Sequence, residues 1–162
     1  MDGLQELQAI EEIRQLKMRY FRFVDTKDWD GLATIFTEDA VLDTRGSGGQ
    51  STPGEEDEHI SRGRDAIIAY ISEGLQHACS VHHGHGHEIT IDGPGEAHGV
   101  IAMEDVVEWF QPFQANLRGY GHYHETYRIE DGEWRIRDCQ LTRLRVDADL
   151  PENSLQAIKE SQ

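Results

Sequence analysis

The spacing of apolar residues changes once along this chain, and that change most constrains its fold. In the first half, apolar side chains recur every three or four residues, which predicts amphipathic helices. From His82 onward they alternate between turn sequences, which predicts strands joined by short connections. Helices followed by consecutive strands indicate an α+β fold. The sequence therefore predicts an antiparallel sheet packed against N-terminal helices.

Three helices are predicted in the first half. The first runs from Leu4 to Val24, and the polar residues at 25–28 interrupt it. Asp28 can cap a second helix that carries apolar residues as far as Phe36. Gly63 opens the third helix. Between the second and third helices we expect a short strand at 40–42 and a mobile, glycine- and acid-rich loop at 46–58.

The strands that follow are joined by recognisable turns. Asp-Gly-Pro-Gly at 92–95 and Glu-Asp-Gly at 130–132 are turn sequences. Because so short a meander does not close a barrel around its own core, we expect it to curl around the helices as a cone with one open end. A pocket should form where helix and sheet diverge. The strands are predicted from His82 to 91 and at 97–110, 119–129 and 134–146, in a domain spanning 1–147 that precedes a polar tail at 148–162.

The charge balance excludes several classes of partner. The 162 residues include 31 acidic and 15 basic side chains, for a formal net charge of −16. Such a surface repels phosphate backbones and anionic membranes, so we expect neither nucleic acid nor membrane as a partner. The N-terminus lacks a signal-peptide pattern, and no apolar run reaches membrane-spanning length, which predicts a cytoplasmic protein. Cys79 and Cys139 are therefore expected to be free thiols.

Four histidines fall within six residues at the beginning of the first strand after the third helix. Strict alternation would place His83, His85 and His87 on one face and His82 on the other. Imidazole titrates near neutrality and binds metals, so the row indicates proton transfer or a metal site. A metal site would resemble the cupin motif, but cupins are all-β and this chain is helical in its first half, so we expect no metal. The ligands of that alternative would be His85, His87, Glu88, His122 and His124.

Several segments together resemble the SnoaL-like, or nuclear transport factor/scytalone dehydratase, superfamily. They cover about four-fifths of the chain in the order typical of that superfamily. The resemblance implies a cone-shaped, cystatin-like α+β barrel with three N-terminal helices packed in a curved antiparallel sheet. The segments are Ala9–Ile13 through Tyr20, Val24–Trp29, Ile35–Val41, His83–Gly93, Gly121–Tyr123 and Asp131–Ile136.

Within the superfamily, the chain is most similar to the dehydratase-like branch. That branch pairs an aspartate after the first helix with a histidine at the start of the strand after the third helix, which implies Asp25 and His83. It also implies Tyr20 and Asp105 as catalytic groups, and an arginine on the last strand. Val24 and Thr44 stand where scytalone dehydratase has tyrosines, which argues against scytalone as the substrate. We assign the arginine to Arg145, with Arg143 as the alternative, and place Tyr123 and His87 in the substrate pocket.

The resemblance implies a lyase of the dehydratase type that acts on a small, apolar, ring-bearing hydroxy compound. His83 would remove a proton next to a carbonyl or conjugated system, and Asp25 would stabilise the resulting imidazolium. Such an elimination needs no redox cofactor, so none is expected. The alternatives are an isomerase or cyclase of the same fold and a non-catalytic binding module. Residues 106–110 also include apolar side chains at both odd and even positions, so both faces of this strand would be apolar. Because the outer face would then need cover, we expect a homodimer or homotrimer.

Overall fold

Three helices and a six-stranded sheet form the computed structural model, which describes residues 2–47, 59–111 and 114–149. The predicted loop at 46–58 lies mostly outside these residues, as does the tail from residue 150. None of the described helices is both long and apolar enough to span a membrane. In chain order the elements are α1 (Gly3–Thr26), α2 (Trp29–Ala33), β1 (Phe36–Gly46), β2 (Ile60–Arg62), α3 (Arg64–Leu75), β3 (Ala78–Gly93), β4 (Glu96–Trp109), β5 (Ala115–Glu130) and β6 (Glu133–Asp149).

Helix α1 is longer than predicted. Asp2 and Gln5 form a capping box at its start, and Lys27 ends it with a left-handed backbone conformation at φ 60°. Asp25 therefore lies in the last turn of the helix and not in the polar segment that was predicted to interrupt it. Asp28 caps α2 through the amide of Gly31, as predicted. The prediction that α2 reaches Phe36 is wrong, since that residue begins β1.

The sheet is curved, remains open, and wraps one face of α1. Its strand order is β2-β1-β6-β5-β4-β3, in which β3 to β6 form the predicted antiparallel meander. Strand β1 pairs in parallel with β6, and β2 pairs antiparallel with β1. The apolar stripe of α1, which includes Ile13, Leu16 and Val24, is buried against the concave face. This arrangement confirms the predicted α+β cone.

An extra residue in β3 decides which of its histidines face the interior. In β3, Gly84 pairs with Met103 and Gly86 with Ala102, so the intervening His85 has no partner of its own. Such a bulge reverses the alternation of the residues that follow it. His83 and His85 are exposed and His82 is partly buried, as alternation requires, and the bulge then brings His87 to the partly buried side. The prediction that His83, His85 and His87 share one face is therefore wrong.

Candidate active site

Asp25 holds His82 at two points. One carboxylate oxygen accepts the backbone N–H of His82 at 2.9 Å, and the other lies 2.6 Å from the ring Nδ1 and accepts the Ser80 hydroxyl at 3.0 Å. Burial alone would raise the pKa of Asp25, but the hydrogen bonds from His82 and Ser80 hold it below its usual value. An ionised carboxylate only accepts hydrogen bonds, so Nδ1 carries the proton of the neutral ring. Nε2 is then left as the basic nitrogen.

Lys27 extends this network beyond the carboxylate. Its ammonium donates to the Ser80 hydroxyl at 2.9 Å and to the carbonyl of Val24 at 3.3 Å. Burial lowers the pKa of Lys27, while the negative charge of Asp25 opposes that effect. The result is a hydrogen-bonded series that runs from a lysine through a hydroxyl and a carboxylate to an imidazole.

Asp105 and Arg143 form an ion pair beside the other ring nitrogen of His82. The guanidinium of Arg143 donates two hydrogen bonds to the carboxylate of Asp105, at 2.5 and 2.6 Å. The side chains are only 4% and 8% exposed, and one oxygen of Asp105 lies 3.9 Å from Nε2 of His82. The Nε of Arg143 is buried and has no hydrogen-bond partner. This geometry places the predicted Asp105 in the site.

Aromatic rings cover the His82 side of the cluster. The ring of Phe21 stacks on the imidazole with centroids 6.2 Å apart and planes 9° apart. The predicted residues Tyr20 and Tyr123 are both buried, with ring centroids 5.9 Å apart. Burial is the main cause that raises the pKa of each tyrosine well above its usual value. Both hydroxyls are therefore neutral hydrogen-bond donors near pH 7.

A second buried polar group lies under these tyrosines. The ammonium of Lys17 is 2.5 Å from Glu125, and neither side chain is exposed to solvent. Tyr127 donates to the same carboxylate at 2.6 Å, and the ammonium lies 3.9 Å from the ring centroid of Tyr20 and 3.5 Å from that of Tyr123. Sequence reasoning missed this pair. The sequence does carry a signal for it: Lys17 interrupts the apolar stripe of α1, and Glu125 lies between two inward tyrosines of β5.

His83 does not contact Asp25, so the predicted pairing is wrong. His83 is exposed beside His85, whose Nε2 lies 3.3 Å from Glu104. The physical reason is alternation, since adjacent strand residues point to opposite faces and His82 takes the inner one. His87 is half-buried at a distance along β3, where burial first and then the charge of Arg14 lower its pKa.

Arg145 also lies outside the cluster. Its side chain is 70% exposed and binds Asp147 at 2.9 Å. Strand β6 carries an extra residue at Leu144, since Arg143 pairs with Gly121 whereas Arg145 pairs with Tyr120. That bulge turns the two arginines to opposite faces of the sheet. The alternative arginine, Arg143, is the one in the site.

The next observations concern metal ligands near the cluster, the access of solvent to it and the grooves on the surface. Within the described ranges, no three His, Cys, Asp or Glu side chains are grouped to hold a metal ion. Solvent reaches the cluster through Asp25, whose side chain is 22% exposed. Two open surface grooves, of about 440 and 400 Å³, are lined by other residues. The first lies at the ends of β4, β5 and β6, and the second lies between the start of α1 and the β5–β6 hairpin.

These features define an α+β cone with a buried acid/base cluster at the junction of helix and sheet. Residues 5–140 match the SnoaL-like domain family, and the chain belongs to that family. A curated relative, the probable cyclase FGR4 of Gibberella zeae, is 26% identical in an alignment 148 residues long that covers 85% of this chain and 92% of the relative.

Solved structures show the same fold. A candidate scytalone dehydratase from Novosphingobium aromaticivorans is 21% identical, with a TM-score of 0.70 over 90% of this chain and 88% of its own. The hexachlorocyclohexane dehydrochlorinase LinA-type3 from Novosphingobium barchaimii is 14% identical, with a TM-score of 0.76 over 93% of this chain and 97% of its own. The fold is therefore one found among proteins named for lyase-type chemistry on small molecules.

Proposed function

We propose that this chain is a cofactor-independent lyase that eliminates water from a small hydroxy compound, with His82 as the base. The observation that most supports this proposal is the double contact of Asp25 with His82, which fixes both the position and the tautomer of the ring. His82 replaces His83 in the role that the family resemblance implied. Asp25 would stabilise the imidazolium that forms when the ring accepts a proton.

The proposed reaction removes a proton and a hydroxyl group from adjacent positions of a conjugated substrate. Nε2 of His82 takes the proton from carbon, the C–H electron pair forms a carbon–carbon double bond, and the C–O bond breaks. The departing oxygen takes the proton back from the imidazolium of His82 and leaves as water, which restores the neutral ring. Tyr20 and Tyr123 are neutral donors for the substrate oxygen, and the Nε of Arg143 is a buried donor without a partner.

The walls of the site favour a substrate that is largely apolar and contains a ring. Phe21, Tyr20 and Tyr123 present aromatic faces, and such rings pack well against flat apolar ligands. Arg143 is already neutralised by Asp105, so this arginine offers no free charge to an acidic substrate. The names of the relatives, a cyclase and a dehydratase among them, fit substrates of this class.

An isomerase or cyclase is the second candidate, favoured by the name of the Gibberella zeae relative. It would use the same base without the loss of water, so the mass of the product separates the two reactions. For either reaction we propose a cytoplasmic protein without a metal or an organic cofactor. The net charge of −16 and the unpaired Cys79 and Cys139 support that compartment.

The test begins with thermal-shift screening against steroid, polyketide and aromatic hydroxy compounds. Compounds that raise Tm are then incubated with the protein, and the products are weighed by mass spectrometry. We expect loss of one water with the wild type and with His83→Gln, the matched control on the outer face, but not with His82→Gln. Turnover that survives His82→Gln would reject the proposed base. Ligands that bind without any change of mass would indicate an isomerase, a cyclase or a binding module, which chromatography of the products distinguishes.

A further inference from the structure

We propose that Gly119 is a positioning residue of the acid/base site, because its missing side chain leaves the passage through which Arg143 reaches Asp105 beside His82. The inference rests on the function proposed above, since it concerns the same site. It does not depend on the identity of the substrate.

Arg143 and Asp105 lie on strands that are not neighbours. Strand β5 separates β6, which carries Arg143, from β4, which carries Asp105. Gly119 of β5 lies directly opposite Asp105, whereas Arg143 pairs with Gly121, two residues further along β5. Adjacent strands are about 4.8 Å apart, so the guanidinium has to cross the full width of β5 to reach the carboxylate. A side chain at position 119 would stand in its path.

The geometry at Gly119 leaves no room for a methyl group. An added Cβ would lie 1.4 Å from Nη1 of Arg143, 2.3 Å from its Cζ and 2.5 Å from Oδ1 of Asp105. The obstructing atoms are the ends of side chains and not backbone, so the guanidinium can move while the strand stays in place. Gly119 does not have a positive φ, so its backbone conformation suits alanine. Gly119→Ala should therefore fold but separate Arg143 from Asp105.

Separation of that pair would change the charge around His82. The ring faces Asp25 of α1 at Nδ1 and Asp105 of β4 at Nε2, and Arg143 balances the second carboxylate. The ammonium of Lys27 is one hydroxyl away from the first. Without the guanidinium, a buried negative charge 3.9 Å from Nε2 is uncompensated and favours the protonated ring. Less of the neutral base is then present at a given pH.

The experiment compares the wild type, Gly119→Ala, Arg143→Ala and the double variant. Gly93→Ala is the matched control, because a Cβ at this other strand glycine meets nothing within 4 Å. The readouts are Tm and the ring proton shifts of His82 followed against pH by NMR. In the wild-type background, we expect Gly119→Ala to lower Tm and to move the midpoint of that titration to higher pH. In the Arg143→Ala background both effects should be much smaller, because only the end of the Asp105 side chain then obstructs the new methyl group, and Gly93→Ala should change neither readout in any background.

Equal effects of Gly119→Ala with and without Arg143 would overturn the proposal, because the glycine would then act through the backbone. If Gly119→Ala does not fold but the double variant does, the obstruction is the arginine side chain and the proposal stands. If neither folds, it is overturned. Both readouts work without substrate. Turnover that survives His82→Gln would therefore reject the proposed reaction without affecting the test of Gly119.

Discussion

The carboxylate of Asp25 binds the backbone amide of His82 at 2.9 Å and its ring Nδ1 at 2.6 Å. The first contact fixes the strand relative to α1, and the second fixes the orientation of the ring. One residue of the helix therefore sets both where the proposed base lies and which nitrogen is free. Catalytic bases depend on such orientation, since a misplaced ring loses the reacting proton.

Asp25→Asn should reduce kcat by about 10²–10⁴-fold on the substrate found by thermal-shift screening, because an amide does not stabilise the imidazolium. Combined with His82→Gln, it should add little further loss, since the two residues act as a unit. Asp92→Asn is the matched control, because Asp92 makes a comparable contact of 2.9 Å with His98 on the exposed surface. Steady-state kinetics with independent, multiplicative losses would contradict the pairing.

The buried pair of Lys17 and Glu125 should be a large contributor to stability when only one partner is removed. Lys17→Met should lower the free energy of unfolding by about 3–5 kcal/mol, since it leaves a carboxylate buried without its cation. Adding Glu125→Gln should restore much of that loss. Arg14→Met, which removes an exposed ion pair with Glu11, should cost less than about 1 kcal/mol. Urea denaturation of these three variants and of the wild type measures the losses, and equal losses for Lys17→Met and Arg14→Met would be inconsistent with the buried pair.

Asp43 should contribute to loss of stability in acid. Hydrogen bonds from Arg45 lower its pKa to about 2, against the opposing effect of burial, and Gln140 adds a further hydrogen bond. A carboxyl group whose folded pKa is below its unfolded value of about 3.9 stabilises the fold above that pH. The contribution disappears as the pH falls from about 4 towards 2. Asp43→Asn should therefore lower stability at pH 6 more than at pH 2.5, as followed by urea denaturation, and a loss of equal size at both pH values would contradict it.

We expect a homodimer or homotrimer in solution. The side chains of Val81, Phe110 and Leu144 are 43%, 60% and 78% exposed, and contact with another copy of the chain would remove this apolar surface from water. Light scattering at micromolar concentration should give a mass above that of one chain. Val81→Lys and Leu144→Lys should shift the mass towards the monomer, whereas Leu7→Lys on α1 should not. A wild-type monomer would rule out the assembly.

The fold was predictable from the sequence because its patterns are long and local. The stripe of α1, the cap at Asp28 and the turns at 92–95 and 130–132 each depend on residues close in sequence. Tyr20 and Tyr123 were predicted for the interior and are buried there. The parallel pairing of β1 with β6 was not predicted, because it joins segments about a hundred residues apart.

Both errors in the site concern which face of a strand a side chain occupies. A bulge is defined by the partner strand, so the extra residues His85 and Leu144 leave no mark on the local alternation. Strict alternation would place Arg143 and Arg145 on the same face, so it does not distinguish them, and the residue assigned from the resemblance, Arg145, faces away from the cluster. His83 was chosen for its place in the family motif, one residue from the ring that binds Asp25. A shift of one residue along a strand moves the assigned side chain to the opposite face of the sheet, so a nearly correct alignment still assigns the wrong residue to the site.

Strand β3 has a neighbouring strand on only one side in the part of the chain that the structure describes. Open strand edges invite pairing with other molecules, and proteins commonly protect them. At the position of His82, the exposed amide of that edge is occupied by the carboxylate of Asp25 rather than by another strand. The residue proposed for acid/base chemistry thus also occupies a backbone donor at a strand edge that would otherwise be open to intermolecular β-pairing.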